Sequence, residues 1–129
     1  MIEHPPLSSP YGPDAAQQLC LFAPSAITSA PVVLFVGLSA AERDRVGAAI
    51  AGHGVVCAIM QHRAAPAHPF PAGPEDVAMA IGWLRTAVAD QGGDPDRIVA
   101  VGHGIGTLHV AGYLADETRQ GSGQGGLAG

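Results

Sequence analysis

The stretch VAVGHGIGTLHV, residues 99–110, joins a short β-branched apolar run to a glycine-rich turn and then to the start of a helical pattern. Strand, tight turn and helix in direct succession are the repeating step of an α/β architecture. Gly104 stands at the tip of the turn, flanked by Gly102-His103 and Ile105-Gly106. Glycine suits a backbone bend that needs positive φ. It also leaves the tip without a side chain.

Working outward, RIVAVGH (97–103) reads as a core strand launched by the turn Asp94-Pro95-Asp96. PVVLFVGL (31–38) and VVCAIMQH (55–62) are apolar runs of the kind buried on both faces of a parallel sheet. QQLCLFAP (17–24) alternates, and an edge strand is expected there. After the 31–38 strand, Ser39-Ala40-Ala41-Glu42 matches the capping box, in which the serine caps the helix and the glutamate reaches back. That helix is predicted to run to about Ala51, with Val46 and Ile50 on its inner face, and to end at Gly52–Gly54.

RAAPAHPFPAGP (63–74) holds four prolines and is expected to be a stiff loop. Pro74 suits the first turn of the next helix, and Glu75 and Asp76 suit its positive end. Val77, Ile81, Leu84 and Val88 recur at helical spacing and predict an amphipathic helix over 75–90. A last helix is predicted over 105–118, with Leu108, Ala111 and Leu114 or Ala115 facing inward. The expected fold is α/β, a mostly parallel sheet flanked by helices, over one domain at 15–118. Residues 1–14 read as a proline-rich arm ending in the turn Tyr11-Gly12-Pro13-Asp14, and the glycine-rich tail 119–129 is expected to be disordered.

Composition narrows the function. A chain of 129 residues with 47% hydrophobic content can bury a real core. The net charge of −5 arises from 11 acids against six arginines and no lysine, so no basic footprint for nucleic acid or anionic membrane is expected. No apolar run reaches the roughly 20 residues of a transmembrane helix. MIEHPPLSSPYGPD lacks the basic start and apolar stretch of a signal peptide, so the cytoplasm is the expected compartment.

Cys20 and Cys57 lie inside apolar strand segments and read as small buried hydrophobes. The six histidines, at positions 4, 53, 62, 68, 103 and 109, show neither HExxH nor a paired Cys/His spacing. His103 and His109 are six apart, on different faces of any helix they share, so no joint metal site is expected. Neither a metal nor a cofactor is expected.

Taken together, YGPDAAQQLCLFAP, PVVLFV, GHGVVCAIMQHRAAPAHPFPAGPEDVAMAIGWLR and GGDPDRIVAVGHGIG resemble the first half of an α/β-hydrolase of the esterase and lipase kind, close to the hormone-sensitive-lipase-like carboxylesterases. The resemblance covers about residues 11–115, and its most specific part runs from His62 to Arg85. It implies a nucleophile elbow of pattern G-x-S-x-G at Gly102, His103, Gly104, Ile105 and Gly106, with glycine in the serine's place. A glycine cannot form an acyl intermediate. The resemblance also implies an H-G-G-G-type oxyanion loop after the 31–36 strand, whereas here Gly37-Leu38 leads straight to Ser39. The acid and histidine it implies would follow two further strands, which this sequence does not contain. The expectation is an esterase-like fold without catalysis in this chain.

Substitutes for the missing parts are few. Ser39 sits at the C-terminal end of a core strand, but its S-x-x-E context assigns it to helix capping. His103 precedes the turn's tip with no acid or serine beside it in sequence. Arg63 with Glu75 and Asp76 reads as a structural clamp between loop and helix. Two alternatives stay open: an active carboxylic-ester hydrolase completed by another chain, and a small anion or nucleotide binder at the Gly102–Thr107 turn, which partly matches G-x-G-x-x-G. The free side of the 97–103 strand predicts self-association, because an apolar open edge templates pairing.

Overall fold

The computed structural model describes residues 6–24, 29–63 and 67–115. Among these residues five strands form one mixed sheet: β1 (Leu7–Pro10), β2 (Gln18–Phe22), β3 (Ala30–Val36), β4 (Val56–Met60) and β5 (Gly93–Gly102), in the spatial order β1-β2-β4-β3-β5. β4, β3 and β5 run parallel, whereas β1 pairs antiparallel with β2 and β2 antiparallel with β4. Three helices flank the sheet: α1 (Ala40–Ala51), α2 (Ala72–Ala87) and α3 (Gly106–Ala115), with a 3-10 turn at Val88–Gln91. The expected strands 31–38, 55–62 and 97–103 and helices 39–51 and 75–90 are found within a few residues of their predicted bounds.

Two expectations about the first strands are corrected. QLCLF is an interior strand rather than an edge, because residues 7–10 of the supposed arm pair outside it, from Leu7 opposite Leu21 to Pro10 opposite Gln18. LSSP has no apolar alternation to announce a strand, and an outer strand tolerates its proline. The Asp94-Pro95-Asp96 turn lies inside β5, not ahead of it. There the register against β3 shifts between the pairs Ala30–Gly93 and Val32–Ile98, and Asp94 Oδ1 accepts from the Asp96 N–H at 2.9 Å. The predicted tail and His4 fall outside the described residues.

The period-2 alternation of the strands divides two cores. On the α2 side, Leu19, Leu21, Val32, Leu34, Val36, Val56, Met60 and Ile98 meet Val77, Ile81, Leu84 and Val88, all buried. The four helical residues are those whose spacing predicts the helix. On the α1 side, Cys20, Phe22, Cys57 and Ile59 are buried with Ala51. Here the inner face of α1 differs from expectation: Gly47 and Ala51 are buried, while Val46 and Ile50 are only half-buried. Phe22 occupies the space where a Gly47 side chain would be, so the helix approaches the sheet on its smallest residue.

α3 is also turned from its predicted orientation. Leu108 and Leu114 are 62% and 48% exposed, and Gly106 and Tyr113 face inward instead. GTLHVAGYLA is apolar nearly all round, so periodicity alone selects no face. Close contact selects it: a Cβ on Gly106 would overlap the Val36 carbonyl oxygen, and one on Gly112 would lie 2.7 Å from Pro74 Cγ. The glycine side therefore packs inward and carries Tyr113 with it.

Candidate functional site

The C-terminal ends of β3 and β4 and the turn after β5 converge at one end of the sheet, where open α/β sheets place their sites. A crevice of about 310 Å3 lies there, lined by Ala16, Gly37, Leu38, Met60, Gln61, His62 and Ile105. The turn from Gly102 to Gly106 is bound tightly to β3, since the His103 N–H donates to the Val36 carbonyl at 2.8 Å. Gly106, Thr107 and Leu108 N–H groups donate to the carbonyls of His103, Gly104 and Ile105 at 3.0–3.1 Å. The N–H groups of Gly104 and Ile105 stay outside this set of backbone bonds.

Gly104 adopts φ +58°, the left-handed region, and no heavy atom lies within 4 Å of where its Cβ would stand. The bend thus keeps both the strained conformation and the free space of a side-chain-bearing tip. His103 beside it is exposed, and its imidazole has no hydrogen-bond partner among the described residues.

Ser39 caps α1 as predicted. Its hydroxyl accepts from the Glu42 N–H at 3.3 Å and lies 3.0 Å from Glu42 Oε1, to which it donates. The Ser39 hydroxyl and backbone N–H hold the Glu42 carboxyl below its ordinary pKa, with a smaller contribution from His103. Only Gly37, Leu38 and Ser39 separate β3 from α1.

The Arg63 clamp is present and is more extensive than the sequence discloses. Asp76, fully buried, accepts from Arg63 Nε at 2.9 Å, from the Arg63 backbone N–H at 2.7 Å and from Gln17 Nε2 at 2.7 Å. Arg63 Nη2 lies 2.7 Å from Asp76 and 3.5 Å from Glu75. Tyr11 completes the anchorage by donating to the Gln61 carbonyl at 2.5 Å. These bonds hold Gln61, His62 and Arg63 at the mouth of the crevice.

Sequence spacing compared His109 with His103, but the ring neighbour of His109 is His62, with centroids 4.6 Å apart in an edge-to-face arrangement. Only the packing of α3 across α2 brings them together, and no spacing signal could have done so. Among the described residues, no three His, Cys, Asp or Glu side chains are grouped to hold a metal ion. Both cysteines are buried and free, and burial pushes the Cys57 thiol up to about 12. No helix among the described residues is long and apolar enough to cross a membrane.

Comparison with known proteins agrees with this geometry. The family model of the alpha/beta hydrolase fold matches residues 34–125. Esterase LipC of Mycobacterium tuberculosis is 34% identical over 105 residues, covering 74% of this chain and 26% of LipC. Carboxylesterase NlhH of the same organism is 38% identical over 58 residues, covering 45% of this chain and 18% of NlhH. A thermophilic esterase of Thermogutta terrifontis, Est2, superposes with a TM-score of 0.69 at 25% identity, over 82% of this chain and 42% of that one. The chain therefore spans about a quarter or less of these curated relatives and under half of the solved esterase. With its strand order, its glycine-framed turn after β5 and the match from residue 34 onward, the chain belongs to the α/β hydrolase fold family and is esterase-like.

Proposed function

We propose that this chain is a catalytically inactive member of the esterase branch, in which the elbow persists as a structural turn. The observation that carries the reading is Gly104: the bend retains φ +58° and open space above it, but no atom there can attack an acyl carbon. The three-residue link from β3 to α1 supports it, since it supplies no extended oxyanion loop. Loss of a nucleophilic serine alone costs about 10^6 in kcat in a serine hydrolase.

Turnover of 4-nitrophenyl acetate and butyrate tests this. The chain and its Gly104→Ser variant should both remain at the buffer rate, because neither base nor oxyanion loop awaits the new hydroxyl. Turnover that scales with protein concentration and falls on His103→Ala overturns the reading.

Among the described residues the outer edge of β5 is unpaired, and Val99 and Val101 beside it are only half-buried. The partner in this reading is a second copy joined through that edge. Val99→Lys or Val101→Lys should then shift the molar mass in light scattering toward monomer. An unchanged oligomer refutes the edge as the interface.

A further inference from the structure

Beside the crevice, and sharing His62 and Ile105 with it, lies a second and larger pocket of about 410 Å3. Its walls include Phe70 from the loop, Ile105 from the turn after β5 and Leu108 from α3, and its polar lining includes His62 and His109. Phe70, Ile105 and Leu108 are 70%, 57% and 62% exposed, and they are three of the five exposed large hydrophobics among the described residues. Apolar side chains gathered around a few polar groups in a pocket of roughly 300–1,000 Å3 are the usual construction of a small-molecule site.

The two imidazoles are complementary in hydrogen bonding. His62 Nδ1 lies 2.9 Å from the Arg63 carbonyl oxygen. Only an N–H can face a carbonyl at that distance, so in the neutral ring the proton sits on Nδ1 and Nε2 carries the lone pair. His109 Nδ1 is buried without a partner, and its ring occupies the space a Gly73 side chain would fill. A buried orphan acceptor is tolerated better than a buried orphan donor, which puts the proton on the opposite nitrogen, Nε2. Burial first, and the neighbouring His62 second, hold His109 below its ordinary pKa and therefore neutral at pH 7.

The surrounding charge selects against anions. Arg63 is already engaged by Asp76 and Glu75, so two carboxylates contact the pocket's guanidinium, and a third, Asp14, faces His68 at 3.6 Å. A hydroxyl matches one acceptor and one donor without bringing charge. We propose that this pocket binds a neutral aromatic alcohol of the phenol class, its hydroxyl donating to His62 Nε2 and accepting from His109 Nε2–H, its ring against Phe70, Ile105 and Leu108. The proposal is separate from the fate of the elbow, because it uses no acyl-transfer group.

The test is an NMR titration of the full chain with three matched compounds: 4-methylphenol, p-xylene, in which a methyl replaces the hydroxyl, and 4-methylbenzoate. 4-Methylphenol should bind about tenfold tighter than p-xylene, the ratio produced by one or two neutral hydrogen bonds, and 4-methylbenzoate should bind most weakly. Ring 15N signals of His62 and His109 should move with 4-methylphenol. His109→Leu and His62→Phe should each erase the preference for the phenol while leaving p-xylene affinity within about twofold. His62→Phe keeps a ring at the contact, so it reports even if His109→Leu does not fold. Equal affinity for phenol and xylene, preference for the carboxylate, binding without movement of either imidazole, or no saturable binding overturns the proposal.

Discussion

Replacing Arg63 by alanine should strongly destabilise this protein. The Asp76 carboxylate is 0% exposed. In Arg63→Ala it keeps the Gln17 amide and the backbone N–H at position 63 but loses the contacts from Nε at 2.9 Å and Nη2 at 2.7 Å. Two charge-assisted hydrogen bonds of about 1.5–3 kcal/mol each sum to about 3–6 kcal/mol. Breaking buried pairs by removing one partner typically costs about 3–5 kcal/mol, within that interval. Against a total stability of about 5–15 kcal/mol the loss is large.

Urea unfolding followed by circular dichroism measures it. With m near ~1.5 kcal/mol/M, the midpoint of Arg63→Ala should fall by about 2–4 M at unchanged m. The control is Arg43→Ala, whose ion pair with Asp44 is exposed at 3.2 Å and should be worth less than ~1 kcal/mol. Arg63→Ala/Asp76→Ala should be less damaged than the sum of its parts, since neither charge then lacks its partner. An Arg63→Ala unfolding free energy within ~1 kcal/mol of the parent, or indistinguishable from that of Arg43→Ala, refutes the argument that burial of Asp76 sets the cost.

Gly106→Ala should cost at least ~3 kcal/mol or prevent folding, because the new Cβ overlaps the Val36 carbonyl and neither backbone can yield without moving β3 from β5; a thermal midpoint near that of the parent contradicts it. Cys57, buried and with its thiol raised to about 12, should resist iodoacetamide at pH 8 in the folded protein and react in urea, as read by mass spectrometry. His109 has a folded pKa lowered from 6.5 by burial and by His62, opposed in part by Asp76. A depressed histidine pKa means its contribution to stability is fully present above the unfolded value and is lost as pH falls below about 6.5 through the folded pKa. Stability should therefore decline from pH 7.5 to 5, and a decline equally steep in His109→Gln shows that another group is responsible.

Elements whose signal is local are legible in the residue pattern alone. The three parallel strands appear as continuous apolar runs, α2 as a four-residue apolar stripe, the start of α1 as a capping box, and the Gly104 bend as a glycine-framed turn, because each depends on residues within one turn or one strand of each other. Tertiary structure decided what depends on unequal neighbours. LSSP becomes β1 only because β2 offers an unpaired edge, and α1 presents Gly47 and Ala51 because Phe22 fills the space above the sheet. α3 turns Tyr113 inward and Leu108 outward because Gly106 and Gly112 allow contact that no other face of that helix permits. His62 meets His109 for the same reason: close approach of backbones is set by where side chains are absent, and a hydrophobic period records only where they are present.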